Sequence, residues 1–194
     1  GTGFYTERGF GVETSEFWSQ EFQFSGNFGN SGFWTGGLYF SKEDLGQSAS
    51  LVDSFVDPGD TIFAEWTATG ESQSSALFAE ATFDLTDRLS TTIGARYTKE
   101  DKDGRAVGGN LNFATFELEP YSGSVDISDS AFTPKVALQY TIDPDHMWYV
   151  SATNGFKSGG WNADNPVTSY DSEEIWAYEI GTKNTFSDQG ITLN

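Results

Sequence analysis

Side chains able to do chemistry are few in this sequence, and they are scattered. The single histidine, His146, sits in the turn Asp143-Pro144-Asp145-His146. As a general base it would need an orienting partner and a nucleophile, so it reads as a solvated turn residue. Cysteine is absent, which removes disulfides, thiolate nucleophiles and Cys-based zinc or iron-sulfur sites. Among 29 acidic residues some pair could stand at glycosidase distance. Glu21, Glu80 and Glu179, however, occupy polar phases of alternating segments and read as wall residues hydrogen-bonded across strands. The run Asp101-Lys102-Asp103-Gly104 starts like a calcium loop without completing its ligand spacing. No nucleophile elbow, phosphate loop, dinucleotide fingerprint or paired-histidine zinc motif occurs. Trp66, Trp161, Asn162 and Asn165 combine flat apolar area with amide groups, which suits a sugar or a chelate ring. Their plainer reading is that they fold polar connections onto themselves. No catalytic residue, metal or cofactor is expected, and the chain is not read as an enzyme.

The elements that would position these residues alternate with period two. In Glu174 to Phe186, Trp176, Tyr178 and Ile180 share one strand face, and Glu179, Gly181 and Lys183 share the other. Similar alternation marks strands near 16–26, 33–43, 76–85, 89–101, 132–142 and 147–157, with a further strand beginning at Ile191. Asn27 to Gly32, Thr86-Asp87-Arg88, Asp143 to His146 and Asp188-Gln189-Gly190 supply short turns. Long polar connections are expected at 44–75 and 102–130 and after Lys157, with 1–15 as the tail of another. Short turns at one end and long loops at the other are the layout of an outer-membrane barrel. The mid-strand charges Glu21, Glu80, Arg96, Lys135, Glu179 and Lys183 all fall in the non-apolar phase, so they are expected to face the lumen. Trp34, Phe83, Tyr140, Trp148 and Phe186 gather toward the short turns, and Trp18, Phe40, Tyr97, Phe132 and Trp176 toward the loops, as two interfacial girdles would.

Composition agrees. A formal net charge of -19 argues against nucleic acid, whose phosphates need a basic surface. No apolar run is long enough for a transmembrane helix, whereas a barrel strand needs only about 9 to 11 alternating residues. Acidic loops could hold divalent ions that bridge to anionic lipopolysaccharide.

The segments YVSATNGFKSGGWNADN (149–165) and SEEIWAYEIGTKNTFSDQGITLN (172–194) resemble the late barrel region of TonB-dependent receptors, which reads as a tyrosine-led strand, GFKSGGFN, an acidic-aromatic loop and a strand ending in E-x-G-x-K. Trp161 stands where many members carry Phe. WSQEFQFSG (18–26), FWTGGLYFSKED (33–44) and ALFAEATFDLTDRLSTTIGARYTKEDKD (76–103) are similar to earlier strands of that family. The resemblance implies an all-β fold in which residues 1–194 form part of a receptor barrel domain. About eight antiparallel up-and-down transmembrane strands would make a curved open sheet of a barrel of about 22 strands. It further implies a cell outer membrane location, contact with lipid and lipopolysaccharide, and uptake of a small-molecule solute such as an iron-siderophore, cobalamin or oligosaccharide. Energy would come from the TonB complex acting through a plug; that plug, its TonB box and a signal peptide are expected to lie outside this chain. A passive porin-like channel and a soluble β-sandwich carbohydrate-binding module are the alternatives.

Overall fold

The computed structural model describes residues 7–53, 61–163 and 167–193. Its body is an open antiparallel sheet of eight strands in sequence order, built from β1 (Glu7–Asn27), β2 (Gly32–Asp53), β3 (Thr61–Asp84), β4 (Leu89–Asn112), β5 (Glu117–Asp143), β6 (His146–Lys157), β9 (Glu173–Phe186) and β10 (Ile191–Leu193). Two three-residue strands, β7 (Gly160–Asn162) and β8 (Thr168–Tyr170), form a separate ladder in the β6 to β9 connection.

The short turns lie where the sequence places them, and their bonds are local. Thr86 Oγ1 accepts the backbone N–H groups of Arg88 (3.2 Å) and Leu89 (3.0 Å). Asp143 Oδ1 accepts the N–H of Asp145 at 3.0 Å and meets His146 Nδ1 at 2.7 Å. That histidine holds the Asp143 carboxyl below its ordinary range, which fixes a turn.

Two expected loops are instead strand. β2 and β3 run on through most of 44–75, and β4 and β5 continue through most of 102–130. Residues 7–15, expected as loop, begin β1. The cause is pairing: an unbroken register links Lys42↔Gln73 to Ser50↔Glu65, and Lys102↔Ile127 to Asn112↔Glu117. Backbone bonds carry these hairpins upward although their composition is polar and Gly-rich. Pro134, near the middle of β5, stands one residue beyond the last β5–β6 pair, Lys135↔Thr153. A missing N–H costs no ladder bond there.

Register fixes two faces. Phe22, Leu38, Leu77, Tyr97 and Phe132 follow one another across β1 to β5, and Leu138, Val150 and Ile180 across β5, β6 and β9. This apolar face is uncovered, with Leu77 60% and Ile180 86% exposed. Removing such a side chain from water is worth about 1.5–3 kcal/mol, so the face requires an apolar solvent or partner. The opposite, polar face holds the buried alanines Ala64, Ala68, Ala76, Ala106 and Ala131. Burial is therefore inverted relative to a soluble sandwich, in which the greasy faces are sealed together.

Candidate functional site

Glu21, Glu80, Arg96, Lys135, Glu179 and Lys183 share the polar face by strand parity. Glu80, Gly94 and Lys135 are consecutive partners on β3, β4 and β5. With no side chain between them, Lys135 Nζ reaches Glu80 Oε2 at 2.7 Å. The Arg96 guanidinium lies 5.3 Å from the centre of the Tyr39 ring and 5.7 Å from that of Phe78, and its Nε donates to Thr98 Oγ1 at 3.1 Å. Tyr149 donates its hydroxyl to Glu179 at 2.5 Å, and Lys183 Nζ stands 6.0 Å from the same ring. Glu21, on edge strand β1, is exposed opposite Tyr39. These groups make a cross-braced polar wall in which each cation has an anion, a hydroxyl or a ring beside it.

Farther toward the loop end, the connection after β6 folds back across this face as a strap. Gly159 N–H and Ser158 Oγ–H donate to Asp129 Oδ2 at 2.9 and 3.0 Å. The Gly159 N–H, ahead of Ser158, Ser172 and the charge of Lys102, holds the Asp129 carboxyl below its ordinary value. Lys102 Nζ donates to the Gly159 carbonyl at 2.8 Å and pairs with Glu100 at 2.9 Å. Tyr121 donates to the Ala163 carbonyl at 3.0 Å. Three side chains from β4 and β5, Asp129, Lys102 and Tyr121, thus hold backbone or hydroxyl groups of the strap.

Trp161 completes the seat. Gly70 and Gly104 are paired across β3 and β4, and a Cβ on Gly104 would come within 2.3 Å of the Trp161 indole, one on Gly70 within 3.2 Å. The paired glycines leave a flat floor that the ring occupies. Trp161, expected as a ligand-contacting loop residue, is here a wall contact on β7. Asn162 follows it on β7 and is exposed, whereas Asn165 lies outside the described residues. Trp66 is on β3 rather than in a loop. It lines an open depression of about 940 Å³ together with Tyr121, Gly108 and Ser50, and its indole Nε1 is buried without a hydrogen-bond partner among the described residues. Asp129, Ser158 and Tyr121 carried no assigned role in the sequence, and Lys102 figured only in the run Asp101-Lys102-Asp103-Gly104. Only the glycine-rich stretch 158–160 hinted at a close approach, because the partners lie far apart in sequence.

Above the aromatic positions the apolar face turns acidic. Asp103 and Asp126 are direct partners, and the hydrogen bond between them raises the Asp103 carboxyl from its ordinary value. Among the described residues no group of three or more His, Cys, Asp or Glu side chains is arranged to hold a metal ion.

A family model described as TonB dependent receptor-like, beta-barrel, matches residues 1–194. Among solved structures, the ferric yersiniabactin uptake receptor FyuA from Yersinia pestis aligns with a TM-score of 0.75 at 17% identity, over 96% of this chain and 28% of its own. The ferric-catecholate import receptor Fiu from E. coli K12, in its open form, aligns at 11% identity with a TM-score of 0.37, over 90% of this chain and 44% of its own. The first match shows the fold; the second is too loose to add to it. The chain spans little more than a quarter of the length of FyuA.

Proposed function

The chain belongs to the TonB-dependent receptor β-barrel family, whose members are outer-membrane proteins, and from that premise we propose that it is a wall segment of an active importer of a scarce solute. The candidates are an iron-siderophore, cobalamin or an oligosaccharide. One observation carries the reading: a continuous apolar face over which none of the described residues forms a layer, backed by a face of ion pairs and hydroxyls. Lipid would cover the first face, and the second would line the lumen. A Lys or Arg on a lipid-facing strand position near the midplane costs about 2–4 kcal/mol and about 0–1 near the interfaces, which accounts for the placement of Lys135 and, more weakly, of Arg96 and Lys183. Above the lipid, Lys42 (2.7 Å from Glu71) and Lys99 (2.6 Å from Asp101) place charge on the outward phase, where lipopolysaccharide head groups would lie. Other parts of the whole protein would supply the plug and its contact with the TonB complex.

The test is energy dependence. Cells carrying the full-length receptor, with and without a functional TonB complex, are offered labelled ferric siderophores, cobalamin and oligosaccharides. Accumulation of one solute only with TonB is the expected result; equal entry without it would make the protein a passive channel.

A further inference from the structure

We propose that the strap carries a binding ledge formed by Asn162, Thr168 and Tyr170, that this ledge takes an uncharged, hydroxyl-rich ring such as a sugar unit, and that Trp161 is its anchor. The inference rests on the receptor reading, since it places the ledge on the solute's path.

Pairing gives the strap two sides. β7 and β8 align Gly160 with Tyr170, Trp161 with Ser169 and Asn162 with Thr168. Because side chains alternate, Trp161 points one way while Asn162, Thr168 and Tyr170 share the other. The Trp161 side is fixed by its contact with Gly70 and Gly104, so the second side is turned from that contact, and Tyr170 also borders the open cleft between strap and wall. Asn162 and Thr168 are exposed, and Tyr170 is 49% exposed. The Tyr170 ring lies over Gly160, where a Cβ would meet its hydroxyl within 2.1 Å. That contact holds the ring across its own ladder and leaves half of its surface open.

Chemistry then selects the ligand class. A phenol ring offers a flat apolar surface for the CH face of a pyranose. An amide and a hydroxyl beside it both donate and accept, which matches vicinal hydroxyl groups. The three ledge side chains carry no charge. Lys102, the cation lining the cleft beneath, is committed to Glu100 and the Gly159 carbonyl, and the carboxylate of Glu43 lines the same cleft. An anionic ligand would meet net negative potential, whereas a neutral polyol would not.

The intact receptor, in outer-membrane vesicles, is titrated with neutral hexasaccharides (malto-, xylo- and chito-), with oligogalacturonate and with a ferric catecholate chelate. Saturable binding of at least one neutral member is expected. Tyr170→Ala should weaken it about tenfold and Asn162→Ala about fivefold, with heat-modifiable gel mobility confirming a folded barrel. Trp161→Ala should weaken binding as much and also open 158–172 to protease, a change that Asn162→Ala does not cause; this separates an anchor from a contact. Saturable binding of the charged ligands alone, no binding of any neutral sugar, or neutral-sugar binding unchanged by Asn162→Ala and Tyr170→Ala would overturn the ledge. TonB-dependent uptake of the chelate, indifferent to these substitutions, would overturn the ledge and leave the receptor reading intact. Sugar binding that depends on Tyr170 but enters cells without TonB would do the reverse.

Discussion

The lower and upper halves of β2 to β5 are the same strands in two different surroundings. Below Phe40, Tyr97 and Phe132, the outward phase holds Leu38, Leu77, Ile93 and Val136. Above them the same phase holds Lys42, Glu71, Asp101, Asp103 and Asp126. Parity is continuous while composition inverts. The polar face changes as well, from the ion pair of Glu80 with Lys135 below to buried alanines and glycines under or beside the strap above. Backbone pairing therefore sets the register throughout, and side chains report only what lies against each half: hydrocarbon in one, water and a folded-back connection in the other.

Reversing the lower half gives the largest expected effect. Ile93→Arg puts a charge on the apolar face in mid-strand, and it should lower the stability of the folded receptor in lipid by about 2–4 kcal/mol, read from a urea titration in vesicles. Asp101→Arg, eight residues on and in the same phase, should leave the midpoint nearly unchanged; equal losses at both positions would abolish the distinction between the halves.

A smaller effect is expected where the upper half is closest packed. Gly104→Val drives a branched side chain into the space of the Trp161 indole, and overpacking of this kind costs about 1–3 kcal/mol. The strap should leave its seat, so limited proteolysis should cut within 158–172 while the barrel band stays intact. Mild acid should do least. The Asp129 carboxyl is held below its ordinary value, so its bonds to Ser158 and Gly159 contribute fully above the unfolded carboxyl value of about 3.9. They are lost only as pH falls through the lowered value. Protease resistance of the strap should therefore be flat from neutral pH down to about 4 and fail below it, and an Asp129→Asn variant should show no such acid step.

The same contrast explains how much the sequence disclosed. Trp176, Tyr178 and Ile180 against Glu179 and Lys183 make a loud period-two signal, because lipid demands one face and tolerates the other. The lower strands, their turns and the six charges of the polar face were legible for that reason. In the upper halves the outward residues are charged and the inward ones are Ala64, Ala68, Gly70, Gly104 and Ala106. Small against polar is a weak alternation, so 44–75 and 102–130 read as loops. The seat of Trp161 was hidden for a different reason: Gly70 and Gly104 become a single floor only when their strands are registered. Thr168 and Tyr170 carried no signal at all until β7 and β8 were paired.

The hairpins also have a consequence for reach. β4 runs on through Asn112 after Tyr97, which at about 3.3 Å per residue adds on the order of 50 Å of contour beyond the last apolar row. Its neighbours keep pace in ladder, so the segment stands above the bilayer as a palisade. A visitor drifting along the cell surface toward these strands meets a fence.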